Sequence, residues 1–383
     1  MPDKVAPACD VVVLGGGIAG LWILDRLRVS GYAAVLLERA ALGCGQTLAA
    51  QGIIHGGRKY VGGYNALAEM PARWRAALEN KGGPDLSQAR MLSPDMLYRV
   101  PGRIGARVVA GATRHALHSD TQPVPMAQWP GWLSGATDGT LFRIGEPVLD
   151  VASVLAALSE QHQEAIGRMP PAPLEWRDGL LACGRVALRP GMIVAAAGAG
   201  NEELRAVFGA DDLPTQRRPL RQILIAGMRE PVYAHCVDGG VKPLATVTSH
   251  PDGNGGFTWY VGGAIAEDGA SVSAEKAIAA AKERLPRLFP GADFANARWS
   301  ELLIDRAEYG GAKGDLPDDA VVVERGPVVF AWPSKLALAP RLADKVLDIV
   351  AARLSPASTR VPSEALAELA RPSLARPPWQ GAL

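Results

Sequence analysis

Hydrophobic positions change their period along the chain, and each change marks an element. Residues Asp10 to Leu14 are an apolar run without alternation, the pattern of a strand buried on both faces. Apolar residues then recur at helical spacing from Ile18 to Val29, and Ala33 to Leu37 is a second unbroken run. Met192 to Ala197 is a third run of this kind. Gln222 to Gly227, Leu244 to His250 and Phe257 to Gly262 are short and β-rich. The turn-rich Pro251–Gly256 segment predicts a hairpin between the last two. Ser273 caps an Ala-, Lys- and Glu-rich helix that reaches Leu288.

A chain of 383 residues is too long for one ordinary core and implies about two domains. With 48% hydrophobic and 21% charged residues it can build large cores, which excludes wholesale disorder. A net charge of +1 argues against a nucleic-acid protein held by a broad basic face. The longest early uncharged run, Val11 to Leu24, contains four glycines and is shorter than the roughly 20 residues of a spanning helix. Together with an N-terminus unlike a signal peptide, this predicts a cytoplasmic protein with no transmembrane segment. Cys9, Cys44, Cys183 and Cys236 lie far apart, so neither a zinc site nor a disulfide framework is expected, and no C-x-x-C pair supports a disulfide reductase.

The first strand runs directly into Gly15-Gly16-Gly17-Ile18-Ala19-Gly20, a G-x-G-x-x-G sequence opening a helix. The glycines have distinct physical roles. Gly15 permits the tight turn, Gly17 the close approach of a pyrophosphate, and Gly20 the packing of helix on strand. Glu38 closes the second strand at the distance where a carboxylate accepts both ribose hydroxyls, which disfavours a 2′-phosphate. Dinucleotide binding follows from this context, but the motif does not separate FAD from NAD.

The next segment separates them. Arg39 is followed by Ala41-Leu42-Gly43-Cys44-Gly45-Gln46-Thr47-Leu48-Ala49-Ala50-Gln51-Gly52-Ile53-Ile54-His55-Gly56-Gly57, rich in small residues that admit a large flat ligand. Gln46 and Thr47 can donate to phosphate or ribitol oxygens. This stretch resembles the FAD-dependent D-amino-acid oxidase superfamily, and Gly52 to Gly57 is most similar to the glycerol-3-phosphate and L-2-hydroxyglutarate dehydrogenases. Met192 to Ala197 with Gly198-Ala199-Gly200-Asn201, and Arg298 to Ala307 with Leu316-Pro317-Asp318, resemble later segments of that superfamily. In place of its usual final glycine-rich turn the chain carries Ala331 to Pro340.

The resemblance implies an α/β fold, α+β overall, in which a Rossmann-like FAD-binding domain is interleaved with a mostly antiparallel substrate domain. The expected FAD pieces are 1–85, 145–212 and 297–354, the substrate pieces 86–144 and 213–296, and 355–383 is a Pro-rich tail lying on the surface. It also implies non-covalent FAD contacted by Gly15, Gly17, Ile18, Ala19, Gly20, Glu38, Arg39, Gln46, Thr47, Gln51, Gly52, Ile53, Ala197 and Gly198. Lys335 and Leu336, at the start of a helix expected over Leu336 to Leu354, would face the flavin edge that becomes negative on reduction.

The implied activity is oxidation of a small anionic 2-hydroxy acid or similar alcohol by hydride transfer to flavin N5, with oxygen, a quinone or another carrier as electron acceptor. Oxidation of a hydroxyl compound needs a base, and among six histidines His55 lies in the flavin-adjacent segment. His235 and His250 are weaker candidates, and His115, His118 and His162 read as surface or loop residues. Arg306 is the expected clamp for the substrate's acid group, with Arg58 and Lys59 able to serve the same anion, and Tyr260 the expected cover. Two other readings are an amino-acid or N-methyl amine oxidase of the same fold, and a non-catalytic flavin-binding or accessory subunit.

Overall fold

The computed structural model describes residues 6–57, 65–100, 102, 121–237, 243–310, 317–356 and 366–380. Ala8–Leu14 lies near the middle of the first eight-stranded sheet, hydrogen-bonded in parallel to Ala34–Glu38 on one side and Val186–Ala195 on the other. Val11 and Val13 enter one buried cluster, while Val12 and Leu14 enter another on the opposite face. Burial on both faces is why this strand shows no alternation. Beyond these strands the sheet continues to Ile166–Arg168 at one end and to Val328–Trp332 and Val321–Arg325 at the other. Helix Ile18–Val29 packs beside Ala339–Arg353 on one face of it.

The second eight-stranded sheet runs in the order Arg298–Tyr309, Thr215–Met228, Phe257–Gly262, Ala245–Pro251, Ala234–Cys236, Met96–Val100, Thr140–Ile144, Gln122–Pro123. Every neighbouring pair is antiparallel except Ala234–Cys236 with Met96–Val100. The expected hairpin joins Ala245–Pro251 to Phe257–Gly262, and Ser273 Oγ accepts from Lys276 N at 3.4 Å as the helix cap. One face of the sheet is apolar: Ile223, Ile225, Val247, Trp259 and Val261 pack with residues of helix Ala274–Leu288. The other face carries buried polar residues, Gln222, His235, Thr246, Thr248 and His250 among them.

Two expectations shift here. Arg298–Tyr309, grouped with the FAD pieces on sequence, pairs along its whole length with Thr215–Met228 and so edges the second sheet. A twelve-residue strand finds no partner at the short edge of the parallel sheet, whereas Thr215–Met228 offers a ladder of matching length. The tail is more than a surface extension. Leu366 and Leu369 are buried against Gly167, Leu42 N donates to Ser373 O at 2.8 Å, and Ala375 N donates to Leu42 O at 3.0 Å. Trp379 then stacks on His250 with ring centroids 3.5 Å apart and packs with Leu224 and Tyr260 on the second sheet. The tail thus straps the two halves together.

Truncating this anchor, Trp379→Ala, is expected to cost about 3–5 kcal/mol, the usual range for a buried tryptophan. The shift in denaturant midpoint measures it, and an unmoved midpoint would show that the tail lies on the protein without holding it.

Candidate active site

The glycine turn is built as tightly as its sequence demands. Gly15 has φ +112°, and a Cβ on it would lie 2.6 Å from Ala197 Cα. A Cβ on Gly20 would lie 1.9 Å from Gly15 O, so any side chain there separates helix from strand. Thr47 Oγ1 accepts from Ile18 N at 3.2 Å and thereby fixes the helix start. Glu38 accepts from Gly16 N at 2.5 Å through one oxygen and from Ala40 N at 2.7 Å through the other. Each oxygen keeps acceptor capacity for a hydroxyl.

From this turn a cavity of about 840 Å³ extends between the two sheets. Gly15, Gly17, Ile18, Ala19, Glu38 and Arg39 line its first end, and Ala197 and Gly198 lie under it. Gly52, Ile53, Lys335 and Leu336 line it further along, as do His55 and Arg306. Gly20 does not line it; its contribution is the packing of the turn. A glycine cradle at a helix N-terminus, an acid at the spacing that reaches a ribose and a long cavity fit a dinucleotide cofactor. The expected long helix is in fact a short 3₁₀ turn, Leu336–Leu338, followed by Ala339–Arg353, because Pro340 suits a helix's first turn and not its interior.

Gln46 and Gln51 line the cavity, yet their amides are committed elsewhere. Gln46 Oε1 accepts from Ala307 N at 2.9 Å, and its Nε2 donates to Ala307 O at 3.4 Å. Gln51 Nε2 donates to both Thr246 O and Tyr260 O at 2.8 Å. Both glutamines, expected to contact the cofactor, thus also staple the loop to the second sheet. Tyr260, expected over the substrate, is placed differently. Its ring is fully buried, it does not line the cavity, and its hydroxyl donates to Ala49 O at 3.0 Å. Burial also pushes its phenol upward, away from any proton exchange near neutrality.

The histidines separate clearly. His55 borders the cavity with Nδ1 3.1 Å from Glu146 Oε2. His235 is buried, its Nε2 3.4 Å from the same oxygen and its Nδ1 2.9 Å from Thr246 Oγ1. His162 is no loose surface residue: it accepts from Arg28 Nε at 3.2 Å and meets Asp25 Oδ1 at 3.0 Å. His250 sits beneath Trp379, and burial drives its pKa down to about 3. His115, His118, Arg58, Lys59 and Leu316 lie outside the described residues.

Two paired strands of the second sheet reach the cavity, with Arg217, Arg218, Leu220 and Gln222 on one and Leu303 to Arg306 and Glu308 on the other. Arg218 stands opposite Arg306 and makes a two-pronged pair with buried Glu308 at 2.8 and 3.1 Å. Gln222 is buried, and its Oε1 has no hydrogen-bond partner among the described residues, an orphan acceptor at the cavity wall. Glu146, Arg218 and Gln222 escape sequence reasoning. For the latter two the signal existed, since positions 218, 220 and 222 share one face of a strand.

The sequence profile described as FAD dependent oxidoreductase (DAO) matches residues 10–340. The chain belongs to this family. A Pseudomonas aeruginosa protein named probable FAD-dependent oxidoreductase PA4991 is 40% identical over 395 residues, covering 99% of both chains. Its crystal structure superposes with a TM-score of 0.83 and covers 99% of each chain at 36% identity. More distant solved structures share the fold. Glycine oxidase from Geobacillus kaustophilus matches at TM-score 0.68 and 15% identity, over 95% of this chain and 100% of its own. An FAD-bound L-α-glycerophosphate oxidase from Mycoplasma pneumoniae matches at 0.62 and 14%, over 92% and 97%. This DAO-family chain is therefore an FAD-dependent oxidoreductase, with a substrate and an electron acceptor. Among the described residues no helix is long and apolar enough to cross a membrane.

Two results are expected. Gly20→Ala should leave helix content intact while FAD binding weakens at least about tenfold, a loss of roughly 1.4 kcal/mol; full retention of yellow cofactor through gel filtration would contradict the packing argument. For His250, the unfolded chain takes up a proton below its ordinary pKa of 6.5 while the folded one resists until about 3. Stability is thus fully present above 6.5 and falls as pH drops through that window. His250→Phe, which keeps the stacking, should flatten this part of the stability–pH curve, and an unchanged slope would count against a neutral buried imidazole.

Proposed function

We propose that the enzyme oxidises a small anionic 2-hydroxy acid or similar alcohol. The observation that supports this reading is one cavity lined by both an imidazole on a buried carboxylate, His55 on Glu146, and a guanidinium, Arg306. Arg306 holds the substrate's acid group by two-pronged hydrogen bonding. His55 takes the hydroxyl proton as the α-carbon loses its hydride, so that C–OH becomes C=O. FAD, held non-covalently, would supply the two-electron acceptor for the hydride, with oxygen, a quinone or another carrier as the final acceptor. Gly15, Gly17 and Glu38 would hold its dinucleotide end, while Lys335 and Leu336 would adjoin its ring.

A second reading, oxidation of an amino acid or N-methyl amine, is favoured by one feature. The buried acceptor Gln222 Oε1 at the cavity wall suits an amine N–H as well as a hydroxyl. The fold-mates named glycine oxidase and iminodiacetate oxidase act on amines by their names.

Anaerobic flavin reduction against 2-hydroxy acids, amino acids and glycerol phosphates decides between the readings. The expected result is bleaching by a hydroxy acid, slowed about 10²–10⁴-fold in His55→Ala. Arg306→Ala should weaken substrate affinity with a smaller effect on the limiting rate. Bleaching by amino acids alone, with His55→Ala within about twofold of wild type, would overturn the hydroxy-acid reading.

A further inference from the structure

The His55 ring sits on one of the most deeply buried carboxylates of the molecule. Glu146 is 1% exposed and lies in Gly145-Glu146-Pro147, the link between Thr140–Ile144 and Val148–Leu149. Its partners come from three places. Gly56 N donates to Oε1 at 2.8 Å, and Oε2 lies 3.1 Å from His55 Nδ1 and 3.4 Å from His235 Nε2. The backbone locks this register, since Ile54 N donates to Pro147 O at 2.9 Å and Ile53 bridges Val148.

We propose that Glu146 is the positioning residue of the reaction: it fixes the ring and tautomer of His55, and His235 holds the carboxylate in place from the far side. The proposal rests on the reading of His55 as the base. An ionised carboxylate only accepts, so His55 must carry its proton on Nδ1, which leaves Nε2 as the basic atom. When Nε2 takes the substrate's hydroxyl proton, the imidazolium forms against a carboxylate already in contact with it. His235 donates from Nε2 to the same carboxylate, and its Nδ1 accepts from Thr246 Oγ1 at 2.9 Å. Thr246 O in turn accepts from Gln51, so the chain of contacts returns to the cofactor segment.

The titratable groups that face His55 among the described residues include Glu146 and His235, with Tyr98 beyond at 6.4 Å from the His235 ring. The ligand atoms of His55, Glu146 and His235 lie within 4.8 Å of one another, a spacing that a metal could also use. In the proposed tautomers three N–H groups would satisfy the carboxylate without one.

The test is Glu146→Gln in the FAD-loaded enzyme. A carboxamide keeps the shape but offers an N–H as well as an oxygen, so it no longer dictates the tautomer. Flavin reduction by a hydroxy acid should slow about 10²-fold or more, with FAD content and absorbance spectrum unchanged. The basic group in the pH–rate profile should shift to lower pH, which a purely structural role would not produce. If His55→Ala abolishes reduction while Glu146→Gln leaves rate and profile unchanged, the positioning role is wrong and the base reading stands. If His55→Ala itself has no effect, the base reading fails first. Nitrogen-15 NMR of histidine-labelled wild-type holoenzyme gives an answer that needs no Glu146 variant to fold. The proposal requires the Nδ1–H tautomer at His55, and an Nε2–H tautomer overturns it. Stoichiometric metal in the purified holoenzyme, lost together with activity on chelation, would also overturn it.

Discussion

The organising constraint is the fastening of one irregular segment, Gln46 to Gly57, between two sheets. An irregular chain in such a place must satisfy its polar groups from neighbours, or their desolvation opposes folding. Here the partners come from the second sheet. Gln46 meets the Ala307 peptide, Gln51 meets Thr246 O and Tyr260 O, and Ala49 O receives the Tyr260 hydroxyl. Gly52, at φ +73°, passes so close to Leu149 O that a Cβ would lie 2.1 Å from it. Because the segment is held at both flanks, the cavity between the sheets has fixed walls. His55 and Arg306 both line it.

Charge is managed by the same logic. Arginines on the second sheet reach the cavity already paired: Arg218 with Glu308, and Arg217 with Glu202 at 2.8–2.9 Å. For Arg218 the partner is the buried carboxylate of Glu308, whose charge would be costly to leave unpaired; the Arg217 pair lies at the exposed rim. Glu146 is the extreme case, with one backbone N–H and two imidazole nitrogens around one buried carboxylate.

The nucleotide-binding start was legible because its signals are local. An unbroken apolar strand, three glycines at fixed offsets and an acid after the next strand each act within a few residues, and the helix Ile18–Val29 has the limits its periodicity predicts. The hairpin before Phe257 and the Ser273 cap were legible for the same reason. What stayed hidden depends on contacts across long separations. Glu146 meets His55 from 91 residues away, and Gln46 meets Ala307 from 261. A glutamine in a cofactor loop reads as a ligand when its true partner is a distant peptide. Arg298–Tyr309 looked like part of the FAD domain because strand pairing is decided by length and register, which no local pattern states. The tail's contact between Trp379 and His250 likewise spans a long separation that no local pattern states.

In the proposed reaction two side chains act on one substrate, its acid group on Arg306 and its hydroxyl on His55. A crystal structure of the FAD-loaded enzyme with 2-hydroxyisobutyrate tests this arrangement, since that hydroxy acid has no α-hydrogen and cannot be oxidised. The carboxylate is expected on the Arg306 guanidinium, with the hydroxyl about 2.6–3.2 Å from His55 Nε2. A carboxylate bound away from Arg306, or a hydroxyl pointing away from His55, would refute it.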